Sequence, residues 1–124
     1  MLVLIVDDDE DDREMFCEAL QRIDPLITPI QMNDAIEALE YLNQPTSVCP
    51  DFIFMDVHMP KMDGKECLNL IKANPSCKDI VVIMLSTTRS RQEITLFKNQ
   101  GVQFITKPTT MAELIGSLKK ILKT

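Results

Sequence analysis

Phe52-Ile53-Phe54-Met55-Asp56-Val57-His58-Met59-Pro60-Lys61-Met62-Asp63-Gly64 is the stretch on which the fold turns. A short apolar run stops at an acid, and Pro60 with Asp63-Gly64 then marks a turn. Cys67, Leu68 and Ile71 follow at helical spacing, and Pro75 ends that pattern. The stretch therefore reads as strand, acidic loop, helix. Working outward, the same unit recurs on both sides. Leu2-Val3-Leu4-Ile5-Val6 is an unbroken apolar run, which suits a strand covered on both faces. Six acids, Asp7-Asp8-Asp9-Glu10-Asp11-Asp12, end it, and Met15, Phe16, Ala19, Leu20 and Ile23 mark a helix. Residues 29–33 suit a shorter strand, Ala35, Ile36, Leu39 and Leu42 a second helix, and 43–50, with two prolines, a loop.

Downstream, Ile80-Val81-Val82-Ile83-Met84-Leu85 is the most apolar strand and ends at Ser86-Thr87-Thr88. Ile94 and Phe97 mark the next helix, with Gly101 placed as its C-cap. Residues 102–106 form a last strand ending at Lys107-Pro108, and Met111, Leu114, Ile115, Leu118 and Leu122 mark the closing helix. Strands alternating with helices five times predict an α/β fold, a doubly wound five-stranded parallel sheet with five helices. Ligands of such sheets sit outside the carboxyl ends of the strands, where the strand order reverses. At those ends the chain places Asp7 and Asp8, Asp56, Ser86 and Lys107. Clustered carboxylates repel, and a hard divalent cation with oxygen ligands, Mg²⁺ above all, relieves the repulsion. Lys107 and the Ser86 hydroxyl could steady an anion held against that cation, as phosphoryl transfer requires, with a carboxylate as nucleophile.

Composition narrows the alternatives. A chain of 124 residues allows one domain spanning 1–124, with roughly 65% of its unfolded surface buried. A net charge of −6 disfavours nucleic acid and anionic membrane surfaces as partners. The longest apolar runs are six residues, against about 18 for a membrane span, and no basic segment leads an apolar one. The cytoplasm is the expected compartment. Cys17, Cys49, Cys67 and Cys77 lack zinc-site spacing and read as reduced. One histidine, His58, leaves neither a multi-histidine metal site nor a Ser-His-Asp triad with a spare base. Glycines at 64, 101 and 116 build no phosphate-cradling loop.

Four pieces together carry a resemblance: Val6-Asp7-Asp8, residues 55–64, Met84-Leu85-Ser86-Thr87, and Lys107-Pro108. The chain resembles a response-regulator receiver domain of two-component signalling, of the stand-alone chemotaxis type, over essentially its whole length. The resemblance implies the flavodoxin-like strand order 2-1-3-4-5. It makes Asp56 the phosphoacceptor, attacking a histidine-kinase phosphohistidine or a small phosphodonor. Asp8, Asp56 and the backbone carbonyl of His58 would bind Mg²⁺, with Asp7 acting through water. Lys107 would pair with the phosphoryl oxygens, or with Asp56 before phosphorylation. Ser86 would draw its loop inward and Phe104 would rotate as the switch aromatic. Pro60 and Gly64 would shape the loop, the Lys107–Pro108 bond would be cis, and His58 and Thr88 would tune the phosphoryl lifetime. Ser86 stands where Thr is commoner, and Thr87 where a small residue is usual.

The resemblance also implies partners: a sensor histidine kinase or phosphotransfer protein, and a downstream protein bound by helix 91–100, the last strand and the last helix. The chain would act as a monomer or weak homodimer. Sixteen residues follow Pro108, enough for the closing helix, so output would pass through another protein. The Ser86-Thr87-Thr88-Arg89-Ser90 loop resembles receivers paired with phytochrome-like or hybrid kinases.

Each feature also has an ordinary reading. The acidic run alone would be a solvated helix cap, and Asp9 to Asp12 are read so. Ser86 alone would be a turn residue, Lys107 a surface lysine, His58 a rim residue and Phe104 a half-buried strand aromatic. Met59 and Met62 flank Pro60 and are expected at an exposed partner surface. The rival function is a phosphatase of the haloacid-dehalogenase type, with Asp7-x-Asp9 as its nucleophile motif. It lacks the acidic pair expected beyond Lys107, where only Glu113 follows. A degenerate receiver is disfavoured because every chemical position is filled.

Overall fold

The computed structural model of the protein describes residues 1–45, 48–87 and 91–123. Strand and helix alternate as β1 (Leu2–Val6), α1 (Glu10–Ile23), β2 (Thr28–Met32), α2 (Ala35–Leu42), β3 (Phe52–Asp56) and α3 (Gly64–Ala73). A 3-10 turn at Pro75–Cys77 leads into β4 (Val81–Ser86), α4 (Arg91–Asn99), β5 (Gln103–Thr106) and α5 (Met111–Leu122). The strands pair in parallel in the order β2-β1-β3-β4-β5.

The unbroken apolar run of β1 has a simple cause. Successive side chains point to opposite faces, and here both faces are covered. Leu4 and Val6 pack with Ala35, Ala38, Leu68, Ile71 and Phe97 on the α2–α3–α4 side, while Val3 and Ile5 pack with Phe16, Leu20, Leu114 and Leu118 on the α1–α5 side. Each large apolar side chain among them contributes about 1.5–3 kcal/mol of burial, and Val3 to Val6 of β1 have no face left for water.

Local chemistry sets the helix ends. Asp9, Asp34, Asp63 and Thr110 are the N-caps of α1, α2, α3 and α5, each accepting from backbone N–H groups of the first turn. Gly101 ends α4 at φ 73°, and the Val102 N–H donates back to the Phe97 carbonyl at 3.0 Å. One expectation is corrected here. Met59 is buried against the α2–α3 core and Met62 is half-buried beside it. The loop folds back on itself, with the Gly64 N–H donating to the Val57 carbonyl at 2.8 Å, and this turns Met59 inward.

Candidate functional site

The strand order reverses between β1 and β3, and the crevice there opens at the carboxyl ends. Backbone pairing continues past the strands and draws the site together. The Asp7 N–H donates to the Met32 carbonyl, Val57 to Leu85 and Lys107 to Ser86, at 3.1, 2.9 and 2.8 Å. Asp7 and Asp56 are buried, whereas Asp8 is exposed at the rim. One carboxylate oxygen from each of the three lies within 4.8 Å of the others. Neighbouring ligands around an octahedral Mg²⁺, each at about 2.0–2.1 Å, stand about 2.9 Å apart, so the three carboxylates would draw together around the ion. The donor set fits, being all oxygen. Asp7 Oδ2 is buried, and the Lys107 ammonium is its ion-pair partner.

Lys107 is the cation of the site. Its Nζ lies 2.8 Å from Asp7 Oδ2, 3.0 Å from Asp12 Oδ2 and 3.4 Å from Asp56 Oδ2. Burial would push its pKa down, but Asp7, Asp12 and Asp56 outweigh that and hold it above the ordinary lysine range. Asp56 is pushed up from the ordinary carboxylate range, chiefly by burial, with Lys107 opposing and Asp7 adding to the rise. Asp7 is raised too, again chiefly by burial, although Lys107 opposes it. The burial cost of two carboxylates therefore exceeds what a single ammonium returns, and a divalent cation suits that imbalance.

Asp56 is held in a defined pose. Its Oδ1 accepts from the His58 N–H at 3.3 Å. Gly64 makes that pose possible. A Cβ on Gly64 would stand 2.5 Å from the Asp56 carbonyl oxygen, 2.7 Å from Met84 Cε and 2.9 Å from Val57 Cα. Pro60 is exposed, and the Met62 N–H donates to its carbonyl at 2.8 Å around Lys61, whose φ is 69°. Together these make a tight three-residue turn beyond the acidic strand end.

The other expected residues fall around this centre. Ser86 ends β4, fully buried, opposite Thr106 of β5. Phe104 is half-buried and stacks on Phe97 of α4, with ring centroids 5.7 Å apart. The His58 side chain stays largely exposed at the rim, its Nε2 3.4 Å from Glu93 of α4. Thr88 lies outside the described residues. The expected cis bond at Lys107–Pro108 is corrected: no peptide bond among the described residues is cis, so this one is trans. Trans is the lower-energy X–Pro isomer by about 0.5–1 kcal/mol, and Lys107 reaches its carboxylates without the reversal.

Two residues were missed by sequence reasoning. Arg13 is buried and donates from Nη1 to the Asp7 carbonyl at 2.7 Å and from Nε to Gln31 at 3.1 Å, which pins the turn carrying Asp7 and Asp8. A signal existed, because Arg13 precedes Phe16 by three positions and so shares the buried face of α1. Asp12, read as surface, is the second missed residue. Nothing local marks a contact to a lysine 95 positions away.

The chain belongs to the response regulator receiver domain family, whose pattern matches residues 3–119. Receiver domains are the phosphorylation-controlled signalling modules of two-component systems, and their acidic pocket binds a divalent metal. The phosphorylated cyanobacterial phytochrome response regulator RcpA superposes with a TM-score of 0.87 at 31% identity, over 98% of this chain and 91% of its own. The Mn²⁺-bound form of Rcp1 gives 0.84 at 28% identity, over 97% and 90%; the curated Rcp1 is from Synechocystis. The phosphate regulon transcriptional regulatory protein PhoB of Klebsiella pneumoniae is 30% identical over 123 residues. The chain spans about half the length of that regulator, 51%. No helix among the described residues is long and apolar enough to cross a membrane.

Proposed function

We propose that residues 1–124 act as one receiver that takes a phosphoryl group on Asp56 from a histidine kinase or phosphotransfer protein, with Mg²⁺ bound, and changes its partner-binding surface in response. The observation that carries this reading is the meeting of Asp7, Asp8 and Asp56 oxygens within 4.8 Å, with the Lys107 ammonium 3.4 Å from Asp56. Asp8, Asp56 and the His58 carbonyl would hold Mg²⁺, with Asp7 reaching it through water. The cation would supply charge neutralisation between donor phosphoryl and carboxylate.

The Asp56 carboxylate attacks phosphorus, the P–N bond of phosphohistidine breaks, and the electron pair leaves with the imidazole, which takes up a proton. The product is an aspartyl phosphate. Lys107 offsets charge on the phosphoryl oxygens and Ser86 donates to them, drawing its loop inward. Gly64 and Pro60 keep the acceptor loop in shape. Phe104, stacked on α4, passes the change to the α4–β5–α5 face, where Leu96 is exposed and a downstream protein would dock. His58 and Thr88 would tune the phosphoryl lifetime. The likeness to the cyanobacterial phytochrome response regulator RcpA supports a kinase of that kind as donor. The net charge of −6 supports a protein partner over nucleic acid or membrane, and the setting is the cytoplasm.

The test is intact mass after incubation with acetyl phosphate, with and without Mg²⁺, for wild type and Asp56→Asn. One Mg²⁺-dependent phosphoryl adduct, absent in the variant, is expected. An adduct retained by Asp56→Asn would move the nucleophile elsewhere and reopen the phosphatase reading through Asp7.

A further inference from the structure

Lys107 has more partners than phosphoryl capture requires. Besides Asp7 and Asp56, its ammonium meets Asp12 from the first turn of α1, at 3.0 Å against 3.4 Å for Asp56. Asp12 stands apart from the metal-fitting group, which comprises Asp7, Asp8 and Asp56. Its side chain is 38% exposed, while that of Lys107 is only 13% exposed. A lysine with three carboxylates must loosen at least one contact before it can turn to a new anion, and the outermost carboxylate is the one water can most readily compensate. The charge of Asp12 also adds repulsion toward any anion arriving at Asp56.

We propose that Asp12 is a positioning residue that competes with the phosphoryl group for the Lys107 ammonium, and so sets how readily Asp56 takes that group and how long it keeps it. The inference rests on the reading of Asp56 as acceptor. Two effects of opposite sign follow. Removing the Asp12 charge frees Lys107 for the phosphoryl oxygens, which favours the loaded state. It also removes one negative charge from the neighbourhood of a bound cation, which weakens Mg²⁺ binding. A purely structural role for Asp12 would move both in the same direction.

The experiment compares wild type, Asp12→Asn, Asp12→Glu and Asp56→Asn. Calorimetry reads the affinity for Mg²⁺ alone, then for beryllofluoride at saturating Mg²⁺, and intact mass follows loss of the acetyl-phosphate adduct. An exposed charge contact is worth up to about 1 kcal/mol, so Asp12→Asn is expected to bind beryllofluoride roughly two- to fivefold more tightly. It should lose the phosphoryl group more slowly by a similar factor and bind Mg²⁺ more weakly, while Asp12→Glu stays near wild type. Beryllofluoride affinity unchanged or lowered in Asp12→Asn, with wild-type uptake still lost in Asp56→Asn, overturns this inference alone. Wild type that takes up neither probe, or an adduct that survives Asp56→Asn, overturns the acceptor reading and this inference with it.

Discussion

Replacing Gly64 by alanine adds one methyl at a close contact beneath Asp56. The new Cβ would meet the Asp56 carbonyl oxygen at 2.5 Å and Val57 Cα at 2.9 Å, both backbone atoms, besides Met84 Cε at 2.7 Å. The methionine end can swing aside, but the backbone cannot move without carrying the Asp56 carboxylate along. Overpacking of this kind costs about 1–3 kcal/mol, partly offset by the helix preference of Ala over Gly, about 0.5–1 kcal/mol. We expect a net loss of about 1–2 kcal/mol in a urea titration, or about 4–8 °C in melting temperature. Mg²⁺ affinity should weaken in parallel. Gly116→Ala is the control: no atom lies within 4 Å of its Cβ, and its φ is not in the left-handed region. That variant should gain about 0.5–1 kcal/mol and leave Mg²⁺ binding alone. Gly64→Ala as stable as wild type, with unchanged Mg²⁺ affinity, would refute the close packing of α3 against β3 as the reason glycine stands there.

Three further outcomes follow from the geometry. Asp7 and Asp56 are raised chiefly by burial, so the folded state holds their protons more tightly than the unfolded state, whose pKa is about 3.9. Their charge therefore costs stability above the folded pKa and nothing below the unfolded one. Stability falls as pH rises between the two. In EDTA, Asp56→Asn should raise the urea midpoint at pH 7 and match wild type at pH 3; a lower midpoint at pH 7 would contradict the burial argument. Mg²⁺ at a hundred times its dissociation constant should stabilise wild type by about 2.7 kcal/mol, and Asp8→Asn at the same concentration should show little of this in thermal melting. Phe97→Ala removes a fully buried ring stacked on Phe104, which should cost about 3–5 kcal/mol by urea titration. A loss below about 1 kcal/mol would mean that the ring is not part of the core.

Much of the fold is legible in the sequence because its signals are local. The runs Leu2–Val6 and Phe52–Asp56 end abruptly in acids, and hydrophobic spacing switches from strand to helix within a few residues. The same abrupt ends place Asp7, Asp8, Asp56, Ser86 and Lys107 at strand termini, where a parallel sheet gathers them. Gly101 was legible as a helix end for an equally local reason, the left-handed backbone it adopts.

What sequence reading left open depends on side chains meeting through space. Met59 looked exposed beside Pro60, yet the fold-back of its loop buries it, a contact that short-range spacing does not encode. Arg13 lay on the apolar face of α1, but its target, the Asp7 carbonyl, is visible only once β1 and α1 are docked. Asp12 shares a run of six acids with Asp7 and Asp8, and nothing in its neighbours separates it from a solvated cap. Only the packing of α1 beside the end of β5 brings it to Lys107. Periodicity repeats along the chain and can be read from it, whereas an ion pair depends on distances set when all five strands are in register. The alternation of elements and the residues at strand ends belong to the chain as written; the division of one ammonium among three carboxylates belongs to the assembled fold.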